Sequence, residues 1–453
     1  MSEYAKYPYD QEIRSVAVGL PEDYGMLFSA LGVAAKIKRK MKAIAIIGGG
    51  PAGATVAEKL ASGGSGPGAE CLRVLVFEER LGWEKPCGGG LPPKALRRYP
   101  FLAAATDTHT AIRDAELVAA DGAPDGVPDG VSVRLRLREP LAIYSRAVLN
   151  GLLLRRAAEA GAEIVQDRML SFERADTRAG STFHGWRLEG REGSYTADYL
   201  ILAAGARSRL RDLLAEQFSA RDFMLTLGYY VPGRDTLLRV QFFEDFEGYA
   251  WSFPRSDHLS LGICGKMRES TMPELRRRLH GFASRFGYAY EGAPVFSHLL
   301  PALTTASWGD LRLAGDGWAL AGDAAGLVDP VTGEGIYFAM RSGELLAEAL
   351  LAGAPETYPE RVWHDFGRRL ALGSRLAHLF YHGDFLGAPS TTRLVQFAAR
   401  SRSFMALLED LIDGSQTYAG LAGRLYTSLG RALVEWAARF VQNDMPRELT
   451  IEI

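Results

Sequence analysis

Cysteine is scarce in this chain: 453 residues carry three, Cys71, Cys87 and Cys264. Three scattered thiols exclude a disulfide framework and a Cys-x-x-Cys metal site, and they fit a reducing compartment. No metal ligands are expected. A surplus of either charge is missing too. There are 52 basic and 54 acidic residues, a net charge of −2, so no nucleic-acid partner is expected. No uncharged apolar run reaches the ~18 residues of a membrane-spanning helix, no secretory signal is evident, and no segment repeats. A cytoplasmic location is expected.

What the chain has is length. It exceeds what one hydrophobic core supports, so two or more packed units are expected. The first 41 residues differ from the rest: an apolar stretch, Gly25–Ala35, precedes Lys36-Ile37-Lys38-Arg39-Lys40-Met41-Lys42. A basic segment after an apolar one can attach to a membrane surface. An extension ahead of a start at Met41 is the preferred reading.

Ala43–Ile47 is short, apolar and followed by glycine, the pattern of a buried strand. It breaks into Gly48-Gly49-Gly50-Pro51-Ala52-Gly53, a Gly-x-Gly-x-x-Gly turn. Gly48 permits the tight turn, Gly50 lets the backbone approach a pyrophosphate, and Gly53 lets helix and strand pack. Pro51 and Ala52 open a helix whose free N–H groups and dipole favour phosphate. Leu72–Phe77 reads as the second parallel strand, and Glu78 at its end suits the ribose hydroxyls of an adenosine. The gap from Gly53 to Glu78 exceeds the usual ~20 residues, and the Gly/Ser loop at 62–68 accounts for the excess. This start predicts dinucleotide binding.

A second turn follows another apolar run: Trp318–Ala321, then Gly322-Asp323-Ala324-Ala325-Gly326. Asp323 reads as a contact to a flavin's polyol, with a helix cap as the alternative. Asp329 to Gly335 then opens a long helix. Gly333, Gly335 and Ile336 give it an N-terminus suited to the negative N1–C2=O edge of a reduced flavin. Arg146, just inside a Ser145–Ala160 helix, is a further cofactor contact or a solvated charge. Gly205 ends the Tyr199–Ala203 strand beside the same site. The second turn selects FAD over NAD.

Between these turns, hairpin strands are expected at Thr182–Leu188 and Ser194–Leu202, a strand-rich stretch at Phe223–Cys264 and a helix at Thr271–Phe286. Return strands are expected at Leu311–Leu313 and Trp318–Ala321, with helices onward from Gly335. Tyr249, Trp251 and Phe253 lie at i, i+2 and i+4, so on a strand they share one face. That face is the wall of a pocket for a long apolar chain, or simply a sheet's core side. The predicted architecture is α/β. A Rossmann-like FAD-binding domain spans 42–220 and 306–352, interrupted by an antiparallel-sheet substrate domain at 221–305. A helical region at 353–453 follows, and residues 1–41 precede.

The two turns and the Arg146 segment resemble the FAD-dependent oxidoreductases that include p-hydroxybenzoate hydroxylase. Two further segments are similar to the geranylgeranyl reductase family: Lys85-Pro86-Cys87-Gly88-Gly89-Gly90-Leu91-Pro92 and Tyr249-Ala250-Trp251-Ser252-Phe253-Pro254. The resemblance spans roughly residues 42 to 350, judged by motif and spacing. It implies reduction of isolated C=C bonds in a polyprenyl chain by reduced FAD, on a prenyl lipid or prenylated small molecule. It also implies Gly88 and Gly89 beside the flavin, and Tyr249, Trp251 and Phe253 around the substrate. Hydride delivery to an unactivated alkene needs a proton at the other carbon. Cys87, a protonated thiol in apolar surroundings, is a candidate to give it; Tyr249 or a water is its rival.

The match departs at Ala204-Gly205, where hydroxylases of the group carry an Asp-Gly tied to NADPH handling. NADPH and ferredoxin both stay open as electron donor. Halogenases carry Trp-x-Trp-x-Ile-Pro, against Tyr249 and Phe253 here. A monooxygenase of an aromatic or lipid substrate, a halogenase and a non-catalytic flavin-binding partner are the weaker readings. Polyprenyl substrates reside in bilayers, so peripheral contact with the inner face of a membrane is expected. Tyr418–Val441, with Arg424, Arg431 and Arg439 among apolar residues, is an interfacial helix or a helix packed on the protein's own core. A monomer is expected.

Overall fold

The computed structural model describes residues 41–63, 72–105, 108–119, 131–175, 185–385 and 387–443. The segment 1–40, the Gly/Ser loop from Gly64 onward and Cys71 lie outside the described residues.

Strand β1 (Ala43–Ile47) is buried on both faces from Ile44 on, as the middle of a parallel sheet requires. Each fully buried Ile or Leu contributes roughly 1.5–3 kcal/mol, so five residues suffice. The chain turns at Gly48 into α1 (Pro51–Gly63) and returns as β2 (Arg73–Phe77), parallel to β1. It then leaves this layer through β3 (Gly90–Leu91), α2 (Pro93–Arg98), α3 (Pro100–Ala104) and the antiparallel pair β4 (His109–Val118) and β5 (Ser132–Tyr144). Helix α4 (Arg146–Glu159) brings it back to β6 (Glu163–Val165), which pairs with β2. A small sheet follows, of β7 (Met169–Arg174), β8 (Trp186–Gly190) and β9 (Ser194–Ala197). Next comes β10 (Tyr199–Leu202), parallel to the other side of β1.

The second departure runs through β11 (Phe223–Pro232), β12 (Leu237–Phe242), β13 (Gly248–Pro254), β14 (His258–Lys266), α5 (Met272–Arg285) and β15 (Val295–Pro301). After α6 (Thr305–Gly309), β16 (Ala314–Gly315) and β17 (Trp318–Leu320) rejoin the first layer. The return strand expected at Leu311–Leu313 falls instead on Ala314–Gly315, because the turn at Asp316–Gly317 folds those two residues onto β17. Helices α7 (Ile336–Leu351), α8 (Tyr358–Val362), α9 (Arg368–His382), α10 (Ser390–Arg400), α11 (Arg402–Asp413) and α12 (Tyr418–Asn443) complete the described chain.

Among the described residues, the first layer orders its strands β16-β17-β10-β1-β2-β6, and the second β15-β11-β14-β13-β12-β4-β5-β3. β12 pairs with β4 in parallel, so the two departures merge into one mixed sheet. This sheet is therefore wider than a 221–305 segment supplies. The signal for β5 was present: Val133, Leu135 and Leu137 are buried and alternate with exposed Arg134, Arg136 and Arg138.

Helix α5 covers one face of the eight-stranded sheet, packing Leu275, Leu279 and Phe282 on Ala250, Leu261 and Ile263. Helices α9 to α11 cover the other, where Trp251, Met224 and Ile143 meet Tyr381, Val395 and Leu407. Tyr249, Trp251 and Phe253 all join this second cluster. In α12, Leu421, Leu425 and Leu429 pack on the same cluster, and Arg424 bonds Asp410 and Gln416. No described helix is long and apolar enough to cross a membrane.

Candidate active site

Both glycine turns sit at the C-terminal ends of parallel strands, where ligands of such sheets bind. Gly48 has φ 106°, and a Cβ there would stand 2.5 Å from the carbonyl oxygen of Ala203, just past β10. A Cβ at Gly53 would meet the Gly48 carbonyl oxygen at 2.0 Å, so α1 lies on the turn through bare backbone. Gly50 differs: a Cβ there has nothing within 4 Å, and the same holds at Gly205. Pro51 and Ala52 are buried in a first helical turn that holds no carboxylate, so no anion of the helix competes for its free N–H groups. Glu78, directly after β2, accepts from the Gly49 N–H at 2.9 Å and the Arg80 N–H at 3.0 Å.

The second turn abuts the first, since a Cβ at Gly322 would lie 2.9 Å from that of Ala52. Asp323 does not cap a helix. Its carboxylate pairs with Lys85 Nζ at 2.8 Å. Burial works to raise its pKa, yet the Lys85 ammonium, with Arg146 adding, holds it below the usual carboxylate range. A Cβ on Gly335 would stand 3.5 Å from Asp323 Oδ1, and Ile336 then begins α7, again without a carboxylate in the first turn. Fully buried Asp329 organises the loop before it. Its Oδ1 accepts from the Val331 and Thr332 N–H groups at 3.0 and 3.2 Å and from the Tyr418 hydroxyl at 2.7 Å.

The Lys85–Pro92 loop closes a third side. Gly89 has φ 84°, and its carbonyl accepts from the Tyr144 N–H at 2.9 Å. A Cβ on Gly88 would strike the Phe253 ring at 2.7 Å, and one on Gly333 the Tyr249 hydroxyl at 2.8 Å. That hydroxyl donates to the Thr332 carbonyl at 2.6 Å. Strand β13 thus touches the Cys87 loop through Phe253 and the Asp329–Gly335 loop through Tyr249, with Trp251 between them. Cys87 Sγ accepts from the Gly89 N–H at 3.3 Å, and the Cys87 carbonyl accepts from Ser260 Oγ at 3.0 Å and from Arg255.

Arg146 is 4% exposed rather than solvated, and its buried Nε has no hydrogen-bond partner among the described residues. Lys85, Arg207 and Arg146 all act on His298 of β15. Burial first, then these cations, push its pKa down to about 3, leaving a neutral imidazole with an unpartnered Nε2. An open glycine cradle, a buried guanidinium that donates to Asn150 at 3.3 Å but has a free Nε, and a local excess of cations fit the pyrophosphate of FAD.

Residues 42–224 match the family model described as pyridine nucleotide-disulphide oxidoreductase. A geranylgeranyl diphosphate reductase of Rhodobacter capsulatus is 30% identical over 324 residues, covering 68% of this chain and 74% of that protein. The chain belongs to the geranylgeranyl reductase family of FAD-dependent oxidoreductases. A chloroplastic geranylgeranyl diphosphate reductase of rice (Oryza sativa subsp. japonica) is 28% identical over 360 residues, 74% of this chain and 71% of that one. The fold is shared with a geranylgeranyl bacteriochlorophyll reductase-like protein of Thermoplasma acidophilum. There the TM-score is 0.65 at 20% identity, over 86% of this chain and all of the other.

This flavoenzyme holds its site with residues the sequence did not single out. Glu84 accepts from the Arg146 and Ala147 N–H groups at 2.9 and 3.0 Å and from the Ser145 hydroxyl, and so caps α4 from another segment. It pairs with Arg255, which is 2% exposed. Burial raises the Glu84 pKa, but Arg255 and these donors outweigh it, and the carboxyl titrates below its ordinary range. Glu84, Arg255 and His298 carry no local motif, and Asp329 opens the segment before α7 with no sign that its carboxylate organises that loop. Lys85 belongs to the Lys85–Pro92 segment, whose sequence gives no hint of its partner.

Proposed function

We propose that this enzyme reduces isolated C=C bonds of a polyprenyl chain. One observation carries the reading: the aromatic face of β13 touches both loops of the cofactor site and continues into an apolar cluster under α9–α12. An apolar wall beside the cofactor loops suits an apolar chain better than a polar substrate. A polyprenyl substrate dissolves in bilayers, and the reading includes peripheral contact with a membrane.

When bound and reduced, FAD supplies a hydride. The chain's own residues must hold the alkene, exclude water and provide a proton at the other carbon. Tyr249, Trp251 and Phe253 supply an apolar wall, and the buried neighbours of Trp251 keep the site dry. Burial raises the Tyr249 pKa far above its ordinary value, and its proton is engaged by the Thr332 carbonyl. Cys87 Sγ receives a hydrogen bond from Gly89, and no described group accepts its S–H. This favours Cys87 over Tyr249 as the proton donor. Cys87→Ala is expected to keep FAD and lose ~10²–10⁴-fold in turnover, the usual contribution of a general acid. Tyr249→Phe is expected to lose far less. Full turnover by FAD-loaded Cys87→Ala removes that role.

The reading itself is tested anaerobically. The bound flavin is reduced with dithionite, excess reductant removed and a geranylgeranyl lipid added. Flavin reoxidation with a gain of two hydrogens by the lipid is the expected result. Reoxidation only after oxygen is admitted, with hydroxylated product, would assign a monooxygenase instead.

A further inference from the structure

Away from the flavin site, α9 carries His378 and His382, four residues apart and therefore on one helical face. Their rings lie 4.9 Å apart between centroids. Opposite them stands Glu247, a carboxylate 7% exposed, in the turn before β13. One ligand atom from each of the three lies within 4.8 Å of the others. Glu269, after β14, adds a second carboxylate with Oε2 at 3.4 Å from His382 Nε2. That Nε2 is buried and makes no hydrogen bond among the described residues.

We propose that Glu247, His378 and His382, with Glu269 at the rim, bind a divalent transition-metal ion of the zinc type. Two imidazoles with carboxylates and no thiolate form a donor set for such ions. Metal–ligand bonds of about 2.0–2.2 Å set ligand atoms roughly 3–4 Å apart, so modest rotamer changes close the set. Lys266 Nζ donates to the Ala302 carbonyl at 2.9 Å and stands 3.5 Å from Glu247 Oε1. It holds that oxygen and leaves Oε2, 3.9 Å from His382 Nε2, for the ion. The ion ties α9 to the substrate sheet. The residue before His382 is Tyr381, whose hydroxyl donates to the Val331 carbonyl in the loop ahead of α7. The site is a clasp on the helix that braces the cofactor loop, not part of the chemistry.

The test uses FAD-loaded, tag-free, metal-stripped full chain. Zinc is added, the protein is gel-filtered, and retained zinc and thermal midpoint are measured. One zinc per chain and a raised midpoint are expected. His378→Ala and His382→Ala are each expected to weaken zinc binding beyond the ~10–100-fold typical of an outer-shell change, with FAD content unchanged. Glu269→Gln is expected to weaken it less, and it keeps the test alive if a histidine variant folds poorly. No retained zinc, or wild-type affinity in the folded double histidine variant, overturns the site and leaves His382 as a neighbour of the two glutamates.

Discussion

Gly53→Ala is expected to lose both stability and FAD, while Gly50→Ala loses FAD alone. A methyl at Gly53 would sit 2.0 Å from the Gly48 carbonyl oxygen, so the turn or α1 must shift. Overpacking of this kind costs about 1–3 kcal/mol, and the shift moves the N-terminus that meets the pyrophosphate. A methyl at Gly50 meets nothing within 4 Å. The apoprotein should keep its stability, within about 0.5 kcal/mol. The methyl instead fills the space that a phosphate needs to reach the backbone. Losing a charge-assisted hydrogen bond of about 1.5–3 kcal/mol weakens binding roughly 10- to 100-fold. Flavin content per chain and the melting of the flavin-free proteins measure the two effects separately. Equal FAD affinity in Gly50→Ala would mean that the pyrophosphate does not lie over this residue.

Arg255→Met is expected to destabilise the fold by about 1.5–3 kcal/mol, the range for a hydrogen bond to a charged group, because Arg255 is buried but Glu84 is 25% exposed. The guanidinium holds Glu84 and the Cys87 carbonyl at once. Without it, Glu84 still caps α4 but has lost its counter-charge, and the Cys87 carbonyl keeps only Ser260. The pH dependence should change as well. The folded-state pKa of Glu84 is depressed, so its contribution is complete above the unfolded carboxyl value and is lost as pH falls through the folded one. In Arg255→Met, burial acts without Arg255 to oppose it and the pKa rises. Acid unfolding should then begin at higher pH than in the wild type. Urea unfolding at several pH values would detect both. An unshifted acid limb would show that Arg255 is not what keeps Glu84 ionised.

The parts legible in the sequence are those whose chemistry is local. A glycine turn after a buried strand needs its glycines adjacent, so Gly48, Gly50 and Gly53 announce themselves. Glu78 follows its strand by one residue, and Gly322-Asp323 follows its own run in the same way. The alternation of Tyr249, Trp251 and Phe253 followed from strand periodicity. The residues that were missed act across long separations: Glu84 and Arg255 lie 171 positions apart, and Lys85 and Asp323 lie 238 apart. Nothing in either local pattern marks the partner. The second sheet failed to read correctly for a related reason. β5 showed clean alternation, but β4 joins β12 in parallel, a pairing set by where the returning chain passes.

By itself, the sequence determined the cofactor layer, because backbone approach and buried-strand hydrophobicity are properties of short segments. Tertiary structure alone decided which charges meet. It seated Arg255 under the Cys87 loop, set Lys85 on Asp323, shielded Arg146 and the Nε2 of His298 from solvent, and brought His378 and His382 to Glu247. Burial and electrostatic pairing depend on distances in space, and those exist only once the two sheets and their covering helices have packed.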